Sequence, residues 1–254
     1  MTKPKTPAQD IYDEYYFKHS CGGHEEFFLT LGEELAPWLD YVLEIADVKP
    51  DEKILDLGTG RGEIAYQSAL RDSQVIGMDY AFAALRFARK LREKAQEKGK
   101  TFLLMLSDAR DLPFKKDVFD TVFMLDIVEH LAQEDLISVF HQVYQCLKPG
   151  GKLIIHTMPN LNYYKYGYPI FRFIMYLLGK KLPKDARDRF YHGEVHVNIQ
   201  TPKTLRKNLH KAGFNLIHVK LTQISGSKLK RFFCSIVPLK YIIANDIIAV
   251  AKKL

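Results

Sequence analysis

Ile54-Leu55-Asp56-Leu57-Gly58-Thr59-Gly60-Arg61-Gly62 decides how the chain is read, together with Asp79, seventeen residues past the last of those glycines. Ile54, Leu55 and Leu57 predict a short buried strand, and glycine at every second position then turns the backbone sharply into a helix. Such a loop brings its backbone closer to a ligand than any Cβ would permit. Asp79 closes a second apolar run, Val75-Ile76-Gly77-Met78, which puts its carboxylate at the carboxyl tip of a neighbouring strand. A carboxylate there accepts hydrogen bonds from both hydroxyls of a ribose. The two features describe a pocket for a cofactor that contains adenosine.

The spacing argues against a dinucleotide. G-x-G-x-x-G or G-x-G-x-x-A needs a third small residue, and the position three after Gly60 is Glu63. A pyrophosphate also favours a helix amino terminus without a negative side chain beside it. The alternating D-x-G-x-G-x-G of Asp56 to Gly62 instead resembles motif I of the class I S-adenosylmethionine-dependent methyltransferases. The cofactor of that family carries a sulfonium and an amino-acid end, with which Asp56 is compatible.

Further segments extend the resemblance in the family's order, over about residues 50 to 254. Ser107-Asp108-Ala109-Arg110-Asp111-Leu112-Pro113-Phe114 resembles the segment whose acid and following N–H meet the adenine. Phe119 through Leu131 resembles the fourth strand and the start of the helix after it, and Leu147 through Leu153 the turn into the fifth. His196 through Phe214 is similar to the last helix of many small-molecule members. The resemblance implies an α/β, Rossmann-like doubly wound sheet, mostly parallel with an antiparallel last strand. An N-terminal helical cap is expected over 1–48 and a methyltransferase domain over 49–254, with a lid insertion at about 159–200. The implied cofactor is S-adenosyl-L-methionine, its product S-adenosyl-L-homocysteine. The implied contacts are Asp56, Gly58, Gly60, Gly62, Asp79, Tyr80, Asp108, Ala109 and Asp126.

Periodicity supplies the outline on its own. Strands are predicted near 53–57, 74–79, 101–106, 120–126 and 151–157, from Phe214, and over Ile242 to Ala251. Helices are predicted near 62–70, 81–98, 133–147 and 202–212, and Leu136, Phe140, Val143 and Leu147 mark one apolar face. Alternating strands and helices imply right-handed crossovers and a parallel sheet covered on both faces. Before them, residues 11 to 47 predict a helical cap broken near Cys21-Gly22-Gly23 and again near Pro37.

His130 is the best-placed general base, a few residues past the end of the fourth strand. Capping and orienting the following helix is the alternative. Asp126, Glu129 and His130 form a D-x-x-E-H cluster that resembles the E-x-x-E-H element of metal-assisted O-methyltransferases of the ubiquinone-pathway type. Asp126 is shorter than the glutamate of that pattern, and a divalent metal is not expected, although the cluster is compatible with one. His192, Glu194 and His196 alternate and would share one face of an extended segment; His196 is expected to line the substrate site. His156 ends the fifth strand, as a ligand-edge or a core histidine. Tyr12, Tyr15 and Tyr16 are candidates to close over the cofactor.

The stretch 163–182 crowds Tyr163, Tyr164, Tyr166, Tyr168, Phe171, Phe173 and Tyr176 among Lys165, Arg172, Lys180 and Lys181. It reads as a lid for an apolar acceptor, as an amphipathic membrane contact, or as packing on the cap. Gly226 to Tyr241 repeats the theme more weakly, with Lys228, Lys230 and Arg231 beside Phe232 and Phe233. Three cysteines, Cys21, Cys146 and Cys234, lack C-x-x-C spacing, so neither a zinc site nor a disulfide framework is indicated. No apolar leader follows Met1, and no run approaches the ~20 apolar residues of a membrane span. A cytoplasmic chain, membrane-peripheral if 163–182 touches lipid, is expected. A net charge of +7 permits an anionic partner without requiring one. The expected activity is methyl transfer to a small, apolar or lipid-like acceptor, at oxygen ahead of carbon or nitrogen. RNA- or protein-modifying and non-enzymatic cofactor-binding readings are the alternatives. Against nucleic acid, Leu125-Asp126-Ile127 stands where base-amine methylating enzymes have N-P-P-Y or D-P-P-Y.

Overall fold

The unbroken apolar runs of the sequence become strands buried on both faces. Leu55 and Leu57 enter one core and Ile54 the other; Val122 and Met124 oppose Phe123, and Leu153 and Ile155 oppose Ile154, in the same way. Successive side chains point to opposite faces, so a strand covered on both sides has no polar positions to alternate with. A computed structural model describes residues 5–189, 195–222 and 240–254. His192, Glu194, Lys228, Lys230, Arg231, Phe232, Phe233 and Cys234 lie outside the described residues.

The strands are β1 Lys53–Leu57, β2 Gln74–Asp79, β3 Leu103–Leu106, β4 Phe119–Leu125, β5 Leu147–Thr157, β6 Leu216–Thr222 and β7 Asp246–Lys252. They form one sheet in the order β3-β2-β1-β4-β5-β7-β6. All run parallel except β7, which is antiparallel to both β5 and β6. Helices α3 Pro37–Ala46, α4 Glu63–Ala69 and α5 Phe82–Glu97 cover one face, and α6 Gln133–Cys146 and α8 Pro202–Lys211 the other. This is the doubly wound sheet with an antiparallel last strand that the resemblance implies.

Two strands start four residues from where the periodicity puts them. Residues Lys240–Ile243 form a helical turn, and β7 begins only at Asp246. The intervening backbone is held elsewhere: Asn160 Nδ2 donates to the Ala244 carbonyl at 3.1 Å, and the Asn160 N–H to that of Asn245 at 2.8 Å. β5 reaches back to Leu147, opposite Phe119, across a register shift; Gly151 fits there against the Phe119 and Asp120 carbonyls.

Ahead of the sheet, α1 Glu14–His19 and α2 His24–Thr30 are separated at Cys21-Gly22-Gly23, and α3 starts at Pro37. Asp13 caps α1 by accepting the Tyr16 N–H at 2.8 Å. Phe17, Phe27, Leu39, Val42 and Leu43 join the core formed by Ile54, Tyr66 and Phe87. After β5 come a π-helical turn, Tyr163–Gly167, and α7 Tyr168–Leu177. β2 and β3 lie to one side of β1, and β4 and β5 to the other. Leu57 stands level with both Met78 and Met124, so a crevice opens above these strand ends.

Candidate active site

The cavity in that crevice measures about 290 Å³. Its floor is the glycine loop after β1. The N–H groups of Gly58 and Thr59 donate to the Met78 carbonyl at 2.8 and 2.9 Å, which ties the loop to the end of β2. Asp79 ties it a second time, its Oδ2 accepting the Gly60 N–H at 2.9 Å and its Oδ1 the Ala81 N–H at 2.8 Å. A carboxylate oxygen accepts more than one hydrogen bond, so both keep capacity for ribose hydroxyls. Gly60 has φ +54°, and a Cβ there would meet nothing nearer than Phe17 at 3.8 Å, so the added bulk would take ligand space. Asp56 accepts the Thr59 hydroxyl at 2.6 Å. Burial pushes the Asp56 carboxyl up to about 7 and that of Asp79 up to about 6.

Asp56, Gly58, Gly60, Asp79, Tyr80, Asp108, Ala109 and Asp126 all line this cavity, as do His130 and His196. Asp108 is gripped by Arg110, whose Nη2 donates to Oδ2 at 2.6 Å and holds the carboxyl below its ordinary range. Gly62 is not among the residues that line the cavity. Its φ is +88°, and a Cβ would stand 2.8 Å from that of Ala88. Its lack of a side chain lets α4 lie against α5, which is a packing requirement.

Arg61, between the two loop glycines, is a residue that sequence reasoning missed. It is almost wholly buried, and its guanidinium donates to the carbonyls of Phe17 at 3.1 Å, Cys21 at 3.3 Å and Gly22 at 2.6 Å. Nη2 also donates to Glu63 Oε1 at 2.8 Å, and the group lies over the Phe27 ring. Arg61 thus fastens α1 and α2 over the cofactor loop. Its partners are backbone carbonyls 39 to 44 residues upstream, which leave no side-chain signature to find. Glu63 is neutralised in the process, so its charge presents less of a barrier to an anionic ligand than its position alone suggests.

The D-x-x-E-H cluster also lines the cavity, and its side chains take different partners. Asp126 adopts φ +51° at the end of β4, a left-handed conformation that aspartate tolerates better than most residues. Its Oδ1 meets His156 Nδ1 at 2.6 Å, with Asp246 Oδ1 at 3.6 Å from the far nitrogen and the Trp38 ring stacked on the imidazole. Burial opposes the charge on His156, but the two carboxylates outweigh it and hold the group up at about 10. His156 is therefore a core histidine. Glu129 turns inward, accepts the Thr157 hydroxyl at 2.7 Å and is raised by burial and by Asp126.

His130 Nδ1 hydrogen-bonds the Tyr12 hydroxyl at 2.9 Å. Burial, then the neighbouring His196, push it down to about 3, so the imidazole is neutral and weakly basic. The His196 ring lies 5.0 Å from it and is only partly buried. Among the described residues Glu129, His130 and His196 bring ligand-capable atoms within 4.8 Å of one another. Tyr12 and Tyr16 line the cavity, whereas Tyr15 faces solvent.

These features fit S-adenosylmethionine. Asp79 keeps acceptor capacity that ribose hydroxyls can use, Gly60 leaves open space beside the loop, and the buried Asp56 and Asp79 favour a ligand with positive charge. The model of the family "Methyltransferase domain" matches residues 54–151. A demethylmenaquinone methyltransferase of Bacillus cereus (strain AH187) is 29% identical over 189 residues, 72% of this chain and 78% of that one. Phosphoethanolamine N-methyltransferase 2 of Haemonchus contortus, in complex with S-adenosyl-L-methionine, superposes with a TM-score of 0.60 at 20% identity, over 85% of this chain and 52% of that one. The cyclase SpnF superposes at 0.62 with 15% identity, over 100% and 97% of the two chains. Identities this low carry the fold and no particular reaction. Loop, sheet order and the family model matched over residues 54–151 together support a class I S-adenosylmethionine-dependent methyltransferase.

Proposed function

We propose that the chain methylates a small, apolar, quinol-like acceptor, at oxygen ahead of ring carbon or nitrogen. The observation that carries this reading is the cavity lining, in which the apolar or aromatic Tyr12, Trp38, Leu39, Ile127 and Met158 accompany the adjacent pair His130 and His196. A flat apolar molecule fills such a space, and two imidazoles meet its hydroxyl. The name of the Bacillus relative, demethylmenaquinone methyltransferase, points to the same class.

S-adenosylmethionine supplies an electrophilic methyl group, whose carbon–sulfur bond breaks as the bond to the acceptor forms, leaving S-adenosylhomocysteine. The protein's share is alignment, exclusion of water and management of one proton. His196, on the more open side of the pair, takes the hydroxyl proton. His130, neutral and fixed by Tyr12, orients the hydroxyl. Asp56, Gly58, Gly60, Asp79, Tyr80, Asp108, Ala109 and Asp126 form the cofactor's wall. The segment 1–48 serves as a cap and 159–200 as a lid, with membrane contact through 163–182 in an otherwise cytoplasmic chain.

Transfer of labelled methyl from S-adenosylmethionine onto fractionated cell extract tests this, with Asp79→Ala as the control that loses signal. Label in the organic phase that survives a chelator is the expected result. Label in RNA or protein would overturn the acceptor class, and loss with chelator would make Glu129, His130 and His196 metal ligands.

A further inference from the structure

Helix α7 is half anchored and half bare. Tyr163 and Tyr168 are buried with Ala186, and Phe171 packs against them. Tyr168 donates its hydroxyl to the Pro183 carbonyl at 2.7 Å. Gly167 lies so close to the Ile242 carbonyl that a Cβ would collide with it. This side packs the helix on its own segment, and Gly167 seats it against Ile242.

The opposite side carries Ile170, Phe173, Ile174 and Leu177 at i, i+3, i+4 and i+7, and Tyr166 extends the stripe one turn back. These five are between 49% and 68% exposed, and Tyr176 and Leu178 flank them at 65% and 68%. A contiguous apolar stripe of this kind marks an interaction surface on a folded protein. Its surroundings are of one sign. From Pro159 through Lys184 the sequence has no Asp or Glu, and it carries Lys165, Arg172, Lys180, Lys181 and Lys184. All but Arg172 are exposed. An apolar face with tyrosine at its margin and cations around it suits an interface of acyl chains and anionic headgroups. No described helix is long and apolar enough to cross a membrane, so α7 would lie in the interface plane.

We propose that α7 docks the protein on an anionic lipid surface, with Tyr166, Ile170, Phe173, Ile174 and Leu177 entering the headgroup–acyl boundary. The segment that bears α7 leaves the sheet at Met158 and is back at the cavity by Val195 and His196, and all three line it. Docking there places the membrane against a segment both of whose ends reach the cavity. The inference deepens the reading of an apolar acceptor, yet it stands on α7, and its test does not require turnover.

The test is flotation of the full chain with vesicles of phosphatidylcholine alone or with about a quarter phosphatidylserine at low salt. Wild-type protein floats with the anionic vesicles, less with the neutral ones, and is released by salt. Lys180→Ala with Lys181→Ala weakens binding roughly 25-fold, about fivefold for each cation near such a surface. Phe173→Asp with Ile174→Asp abolishes it, with the thermal melt unchanged because both side chains face solvent. The proposal is overturned if wild-type protein fails to float with anionic vesicles. It is equally overturned if the variants float as wild type does, or if the stripe proves to join two copies of the chain in solution without binding vesicles. An acceptor assay in detergent reports separately on the methylation reading.

Discussion

Asp79 shows how one carboxylate joins architecture to binding. It receives the N–H groups of Gly60 and Ala81, so it shapes the loop before any ligand arrives. Burial leaves both Asp79 and Asp56 with folded-state values of about 6 and about 7, above the value near 4 of an unfolded aspartate. The sign follows directly. Between about pH 4 and 7 the folded protein binds more protons than the unfolded one, so this contribution to stability declines as pH rises. A cationic ligand prefers the ionised carboxylates, so cofactor affinity rises over the same range. Calorimetric titration of S-adenosylmethionine from about pH 5 to 8 checks this, with Asp56→Asn flattening the upper part of the curve. An affinity independent of pH in wild type would contradict the burial argument.

The cap helices α1 and α2 are held by an element they do not follow in sequence. Arg61 lies in the cofactor loop and donates to three carbonyls of the cap, so loop and cap are one mechanical unit. Arg61→Ala leaves those carbonyls and the Glu63 carboxylate without a donor in a buried site, a loss of about 3–5 kcal/mol. Urea unfolding measures the loss, and faster amide exchange over residues 14–30 locates it. Arg61→Lys recovers little, because an ammonium cannot reproduce the planar fork. If exchange rose evenly over the sheet instead, Arg61 would be supporting the core at large.

Across the whole molecule the cavity gathers β1, β2, β4, the cap and both limbs of the segment bearing α7. A ligand seated there binds the folded chain alone. S-adenosylhomocysteine at about a hundredfold over its Kd stabilises by roughly 2.7 kcal/mol, which raises the Tm of a chain this size by about 5–10 °C. A thermal melt with and without the product reads the shift, and Asp79→Ala removes most of it. Slower exchange in α1 and α2 on binding would show the cap closing with the site.

Sheet, helix order and cofactor loop were legible because they rest on local rules. Strand runs, glycine turns and the acid at a strand tip are determined by residues within one element and the next, and D-x-G-x-G-x-G has a meaning that survives without neighbours. Asp56, Gly60 and Asp79, which line the cavity, could therefore be singled out from the sequence alone. Tertiary structure decided the rest, where one position is defined by another far along the chain. It packed Gly62 against Ala88, buried Arg61 under carbonyls of the cap, and hydrogen-bonded Asp126 to His156. It also decided which side of α7 is anchored and which is bare, since an apolar helix reads alike on every face until its partners are in place. A linear sequence records which groups can interact; only folding brings distant groups within hydrogen-bonding distance, and burial then sets their charge.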